Sequence, residues 1–102
     1  MLALEFGNLL ALESGIVLRS IQDQNRFYAF NVVTGEQFRL NRTSFWILEE
    51  ISDGIEWTHL RTNYLATYDI SPEQGEVDLI RVLSELYNHK VIRRRDNGKE
   101  ES

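Results

Sequence analysis

The chain of 102 residues has no cysteine, one proline and one methionine. Without cysteine, neither a disulfide nor a cysteine-ligated zinc site can be built. Only two histidines are present. His59 is expected on the exposed side of one helix and His89 at the end of another, so they do not suggest a shared metal or catalytic site. There is no glycine-rich phosphate loop, no G-x-S-x-G and no H-E-x-x-H. The sequence therefore reads as non-catalytic, with no cofactor and no metal. No run of about 18 apolar residues exists, so no membrane helix is expected. The start, Met1 to Phe6, lacks a basic segment and is interrupted by Glu5, which argues against a secretory signal. Missing signal and missing cysteine together place the expectation in the cytoplasm. Cations are also in the minority, 11 Lys and Arg against 16 Asp and Glu, for a net charge of −5. Such a chain repels polyanions as a whole, although a local basic patch can still form.

What is present is 42% hydrophobic and 11% aromatic, enough for one modest core. The stretch from Glu36 to Gly54 organises the rest. Phe38 and Leu40 alternate with Gln37 and Arg39, the period of a half-buried strand. Asn41 is a suitable N-cap, and Phe45, Leu48 and Ile51 recur at helical spacing. Ser52-Asp53-Gly54 ends that helix, with Gly54 free to adopt a positive φ. Strands are expected near 16–21, 26–31 and 36–40. Short loops join them, with Gly35 in the second, so they form an antiparallel meander. Helices are expected near 42–51, 57–67 and 72–88. Ser71-Pro72 with Gln74 starts the third as a capping box, although Gly75 would move its firm beginning nearer Glu76. Residues 1–14 read as an apolar extension, a hairpin or a short helix, whose apolar side chains need the core or a second copy of the chain. A homodimer through that segment is left open. Residues 15–93 form the domain, and 94–102 a charged, disordered tail.

An ordered set of short motifs runs through the chain. It comprises Leu40-Asn41-x-Thr43-x-x-x-Ile47-Leu48, Asp53-Gly54, Leu60 to Tyr68, Asp78-Leu79-x-x-Val82-Leu83-x-x-Leu86, and Val91-Ile92. Together they resemble the PqqD-like family, also called the RiPP recognition element, from about Gly15 to Ile92. The resemblance implies an α+β, winged-helix-like fold, a three-stranded antiparallel sheet followed by three helices. It also implies a non-catalytic role. Members bind the leader of a ribosomally synthesised precursor peptide and present it to a modifying enzyme such as a radical-SAM protein, a peptidase or a cyclase. The leader pairs with the third strand and packs on the third helix. Two positions depart from the family pattern: Glu56 stands where threonine usually caps a helix, and Lys90 where glycine is frequent.

Carried to this chain, the peptide-binding strand is Glu36, Gln37, Phe38, Arg39 and Leu40. The third helix has more apolar positions than one face buries. Leu79, Val82, Leu83 and Leu86 are read as core. Val77, Ile80 and Tyr87, with Arg81 and Ser84, are read as the peptide-facing wall. A winged-helix topology also suggests DNA binding. The would-be recognition helix, however, carries Glu73, Glu76, Asp78 and Glu85 against Arg81, the wrong sign for a groove reader. The expected partners are thus a precursor peptide and its modifying enzyme, with no nucleic acid and no membrane.

Overall fold

The computed structural model of the chain describes Leu4 and residues 8–95, the side chain of Gln22 excepted. Its elements run β1 (Leu9–Leu12), β2 (Ile16–Ile21), a 3-10 turn (Gln22–Gln24), β3 (Arg26–Asn31), β4 (Gln37–Leu40), α1 (Arg42–Ile51), β5 (Ile55–Glu56), α2 (Trp57–Thr67), α3 (Pro72–Asn88) and β6 (Ile92–Arg95). The three expected strands and three expected helices are all present.

Strands β2, β3 and β4 form the antiparallel meander, in that order. The β3–β4 turn is set by Asn31, whose side-chain oxygen accepts from the Val33 and Thr34 N–H groups at 2.9 and 3.1 Å. Gly35 closes it at φ +84°, a conformation that glycine adopts without a Cβ penalty. Alternation then divides the sheet. Ile16, Phe27 and Ala29 are buried, while Val17, Arg19 and Gln37 are exposed.

Asn41 joins β4 to α1 with no intervening loop. It keeps an extended backbone, and its side chain accepts from the Ser44 N–H at 2.8 Å. This cap lets a strand hand over to a helix within one residue. Phe45, Ile47, Leu48 and Ile51 form the buried side of α1. Gly54, at φ +87°, returns its N–H to the Ile51 carbonyl at 2.7 Å and ends the helical run. Helix α3 begins at Pro72, capped by Ser71, and not near Glu76. Gly75 is buried there because Leu65 and Ile70 of the preceding segment occupy the space a Cβ would need. Its helix-weakening backbone is offset by close packing.

A second antiparallel sheet was not foreseen. Strand β1 lies between β5 and β6, in the order β5-β1-β6. Residues 9–12 are therefore neither hairpin nor helix, and they do not stand outside the domain. Leu10 is fully buried and Leu12 packs on the core. The surface these side chains need is supplied by the chain itself. Residues 1–3 and 5–7 lie outside the described residues. So does the expected tail from residue 96 on, whereas Arg94 and Arg95 belong to β6. The core joins Leu10 and Ile92 of this sheet to Ile47, Leu48, Ile51, Leu60, Leu79 and Leu83 of the helices. Among the described residues, no helix is long and apolar enough to cross a membrane.

The end of α3 is fixed by paired backbone bonds. The Lys90 N–H reaches the Tyr87 carbonyl at 3.1 Å and the Val91 N–H reaches Leu86 at 2.9 Å. This Schellman arrangement requires a left-handed residue, normally glycine. Lys90 occupies it at φ +62°. A left-handed L-residue costs roughly 1–2 kcal/mol, partly offset because glycine would make the unfolded chain freer. We expect Lys90→Gly to raise unfolding free energy by roughly 0.5–1 kcal/mol in a urea titration. A loss of stability would contradict the strain assigned to Lys90.

Candidate functional site

Among the described residues, strand β4 is paired on one side only. The Asn31 N–H bonds to the Glu36 carbonyl at 2.9 Å, and the register continues as Ala29 with Phe38 and Phe27 with Leu40. In an antiparallel ladder, residues alternate between facing the partner strand and facing away. Phe38 and Leu40 thus direct their backbone groups to β3. Gln37 and Arg39 direct theirs to the open edge. Two donors and two acceptors stand in a row there.

A groove of about 480 Å³ runs beside this edge, between β4 and the C-terminal half of α3. One wall is Gln37, Phe38, Arg39 and Leu40, continued by Asn41 and Ser44. The other is Val82, Glu85, Leu86 and His89, with Val91 at the base. Phe38, Leu40 and Val82 are half-buried against the core, and Leu86 is buried. They give the groove an apolar floor. Arg39, Glu85 and His89 are exposed and give it a polar rim of both charge signs. The His89 ring stands 6.1 Å from the Phe38 ring, centre to centre, so strand and helix meet at that end. Around the end of β4 the surface continues into a second depression, lined by Asn25, Phe27, Arg39, Leu40, Asn41 and Arg42. Arg42 sits 5.3 Å over the Phe27 ring and donates to the Asn25 side chain.

The predicted site residues are only partly brought together. Gln37, Phe38, Arg39 and Leu40 line the groove, while Glu36 lies beyond its end. Val77, Ile80, Arg81, Ser84 and Tyr87 do not line it. Val77 is 60% exposed and Tyr87 40%, Ser84 is buried, Ile80 packs on the core, and exposed Arg81 approaches Asp78 at 3.9 Å. At about 100° per residue, these five lie on the flank of α3 opposite the one that faces β4. The periodicity separates buried from surplus positions but does not say which flank the sheet meets. Val82 and Leu86, read as core, serve the core and the groove together. The omitted signal was the pair Glu85 and His89, spaced i,i+4, with Val82 and Leu86 interleaved on the same side.

No group of three or more His, Asp or Glu side chains that could hold a metal ion occurs among the described residues. A separate aromatic cluster links α1 to α2. Tyr64 stands 6.1 Å from Trp46 and 5.0 Å from Tyr68, and Tyr68 meets Trp46 edge-on at 5.6 Å. Burial raises the Tyr64 phenol above the ordinary tyrosine range, and the nearby Asp78 charge adds to this.

Comparison with known proteins is informative for most of the chain. Residues 9–92 match the family model described as coenzyme PQQ synthesis protein D, PqqD. No curated protein matches the sequence. Two solved structures share the fold. TbiB1 in complex with the TbiA(β) leader peptide superposes with a TM-score of 0.70 at 19% identity, over 89% of this chain and 99% of that one. A lasso peptide synthetase B1 complexed with the leader peptide gives 0.68 at 17% identity, over 82% and 96%.

The Tyr64 environment has a consequence at high pH. Its phenol is held neutral in the folded chain, so its contribution to stability is complete below the unfolded value of about 10 and is lost as pH rises past it. Urea midpoints taken at about pH 9 and about pH 11 should fall less for Tyr64→Phe than for the parent chain. An equal fall in both would contradict this.

Proposed function

The chain belongs to the PqqD family, and we propose that it binds the leader segment of a ribosomally made precursor peptide and hands it to a modifying enzyme. The single observation that carries this reading is the open edge of β4 beside an apolar-floored groove. An extended peptide laid antiparallel along β4 would exchange backbone bonds with Gln37 and Arg39. Its alternate side chains would enter the groove over Phe38, Leu40, Val82 and Leu86. Each of the two matched structures is a complex with a leader peptide.

Magnitudes show where specificity must come from. Four backbone hydrogen bonds, each contributing on the order of 0.5–1.5 kcal/mol net, sum to a few kcal/mol. Ordering a free peptide costs about 2–5 kcal/mol, which offsets most of that. Two or three side chains buried at about 1.5–3 kcal/mol each then decide the affinity. The groove floor accepts apolar side chains, and its rim of Arg39, Glu85 and His89 accepts polar ones of either sign. On this reading the chain does no chemistry itself. Its enzyme, a radical-SAM protein, a peptidase or a cyclase, acts on the part of the precursor left free. Duplex DNA is disfavoured because α3 offers four carboxylates and one arginine.

The test uses fluorescein-labelled candidate leader peptides, the TbiA(β) leader among them, followed by anisotropy. Val82→Asp, which puts a charge on the groove floor, should weaken binding more than about tenfold with the circular dichroism unchanged. Tyr87→Ser, on the opposite flank of α3, should leave binding unchanged. The reverse pattern would move the site to that flank.

A further inference from the structure

The outer face of the β2-β3-β4 sheet, turned away from the core, combines cations that form no ion pair among the described residues with exposed apolar side chains. Register brings Arg19, Tyr28 and Arg39 into one row across the three strands. The neighbouring row is Val17, Phe30 and Gln37. Tyr28 and Phe30 lie side by side, ring centres 5.9 Å apart. Exposure is concentrated here. Of the six large hydrophobic residues that stand out among the described residues, Val17 and Ile21 lie on this face, and Val32 and Val33 in the turn at its end. Val17, Phe30 and Val32 line a shallow depression of about 360 Å³ with Arg19 at its side. Neither Arg19, Arg26 nor Arg39 forms an ion pair among the described residues. The carboxylate that lines the depression, Glu36, is hydrogen-bonded by the Thr34 hydroxyl instead.

We infer that this face is a docking surface for a second protein whose contact area carries carboxylates around an apolar centre. Three arginines on one face with no ion pair among the described residues, on a chain of net charge −5, mark a place where the local sign is reversed. Complementarity therefore calls for an acidic partner. The exposed valines and the aromatic pair supply the apolar part of the contact. A second copy of this chain meeting it face to face does not satisfy the pattern, since that pairing sets arginine against arginine. A single-stranded nucleic acid would use the cations and rings, but it has no use for exposed valines and is repelled by the molecule as a whole. Apart from Gln37 and Arg39 at the shared edge, the face is reached from the side of the sheet opposite the groove floor, so its β2 and β3 part stays open when the groove is filled. Resting on the function proposed above, the acidic partner is the enzyme that receives the peptide.

The test is an amide chemical-shift titration of the full ¹⁵N-labelled chain with a random glutamate–tyrosine copolymer as the acidic, aromatic probe. Polylysine and a single-stranded oligo-dT are the comparison probes. The copolymer should shift the amides of β2, of β3 and of Val32 while leaving Val82 and His89 in place. Combined Arg19→Glu and Val32→Asp, both on solvent-facing positions, should weaken it more than about tenfold. Val82→Asp, which tests the groove, should not. Copolymer shifts confined to the groove, an affinity indifferent to Arg19→Glu with Val32→Asp, no binding at all, or tighter binding of oligo-dT would each overturn the inference. The leader titration is read on groove amides and on Val82→Asp, so failure of one reading is separable from failure of the other.

Discussion

A strand with a neighbour on one side leaves half of its backbone polar groups unpaired, and the candidate site rests on that constraint at β4. The groups that matter belong to Gln37 and Arg39, because the ladder to β3 uses those of Phe38 and Leu40. An open edge is also a liability, since any extended chain can pair with it. This one is short, carries an arginine, and has α3 standing alongside. Those features restrict what can pair to a strand whose side chains also suit the groove. Asn41 holds the arrangement together by turning the chain from β4 directly into α1. The edge is thereby fixed to a helix whose other side is packed into the core.

The second sheet gives this edge its rigid base. Strands β1, β5 and β6 come from the beginning, middle and end of the described chain and close around Leu10 and Ile92. The turn at Lys90 leads α3 into β6 and so holds the helix wall of the groove in place. A residue that accepts a left-handed backbone there trades local strain for the angle between α3 and the sheet. The two faces of the β2-β3-β4 sheet then separate in character. The inner one is apolar and buried. The outer one mixes arginines with exposed valines.

Much of this was legible in the sequence where the signal is local. Strand alternation at 36–40, the Asn41 cap, the Gly54 stop and the Ser71-Pro72 start each depend on residues a few positions apart, and each element formed where the pattern placed it. Strands β1 and β5 are too short, at four and two residues, to show a period, and they exist only through pairing with distant segments. The helix wall of the groove differs from the one periodicity suggested, for a different reason. Leu79, Leu83 and Leu86 mark the buried stripe of α3, but a stripe has two flanks, and only the tertiary position of β4 decides which becomes a groove. Val82 and Leu86 serve both core and groove, a double use that periodicity cannot separate. Gly75 misled for a third reason, since its backbone freedom suggested fraying while its lack of a side chain made room for Leu65.

The central claim is that the backbone of Gln37 and Arg39 is free in the isolated chain and paired when a peptide is bound. Amide hydrogen exchange, resolved by NMR residue by residue, tests it most directly. The account predicts that Phe38 and Leu40 are protected with or without the leader. Gln37 and Arg39 should exchange rapidly alone and slow by more than about tenfold once the leader is added. Protection of Gln37 and Arg39 in the free chain, or unchanged rapid exchange when the leader is bound, would contradict it.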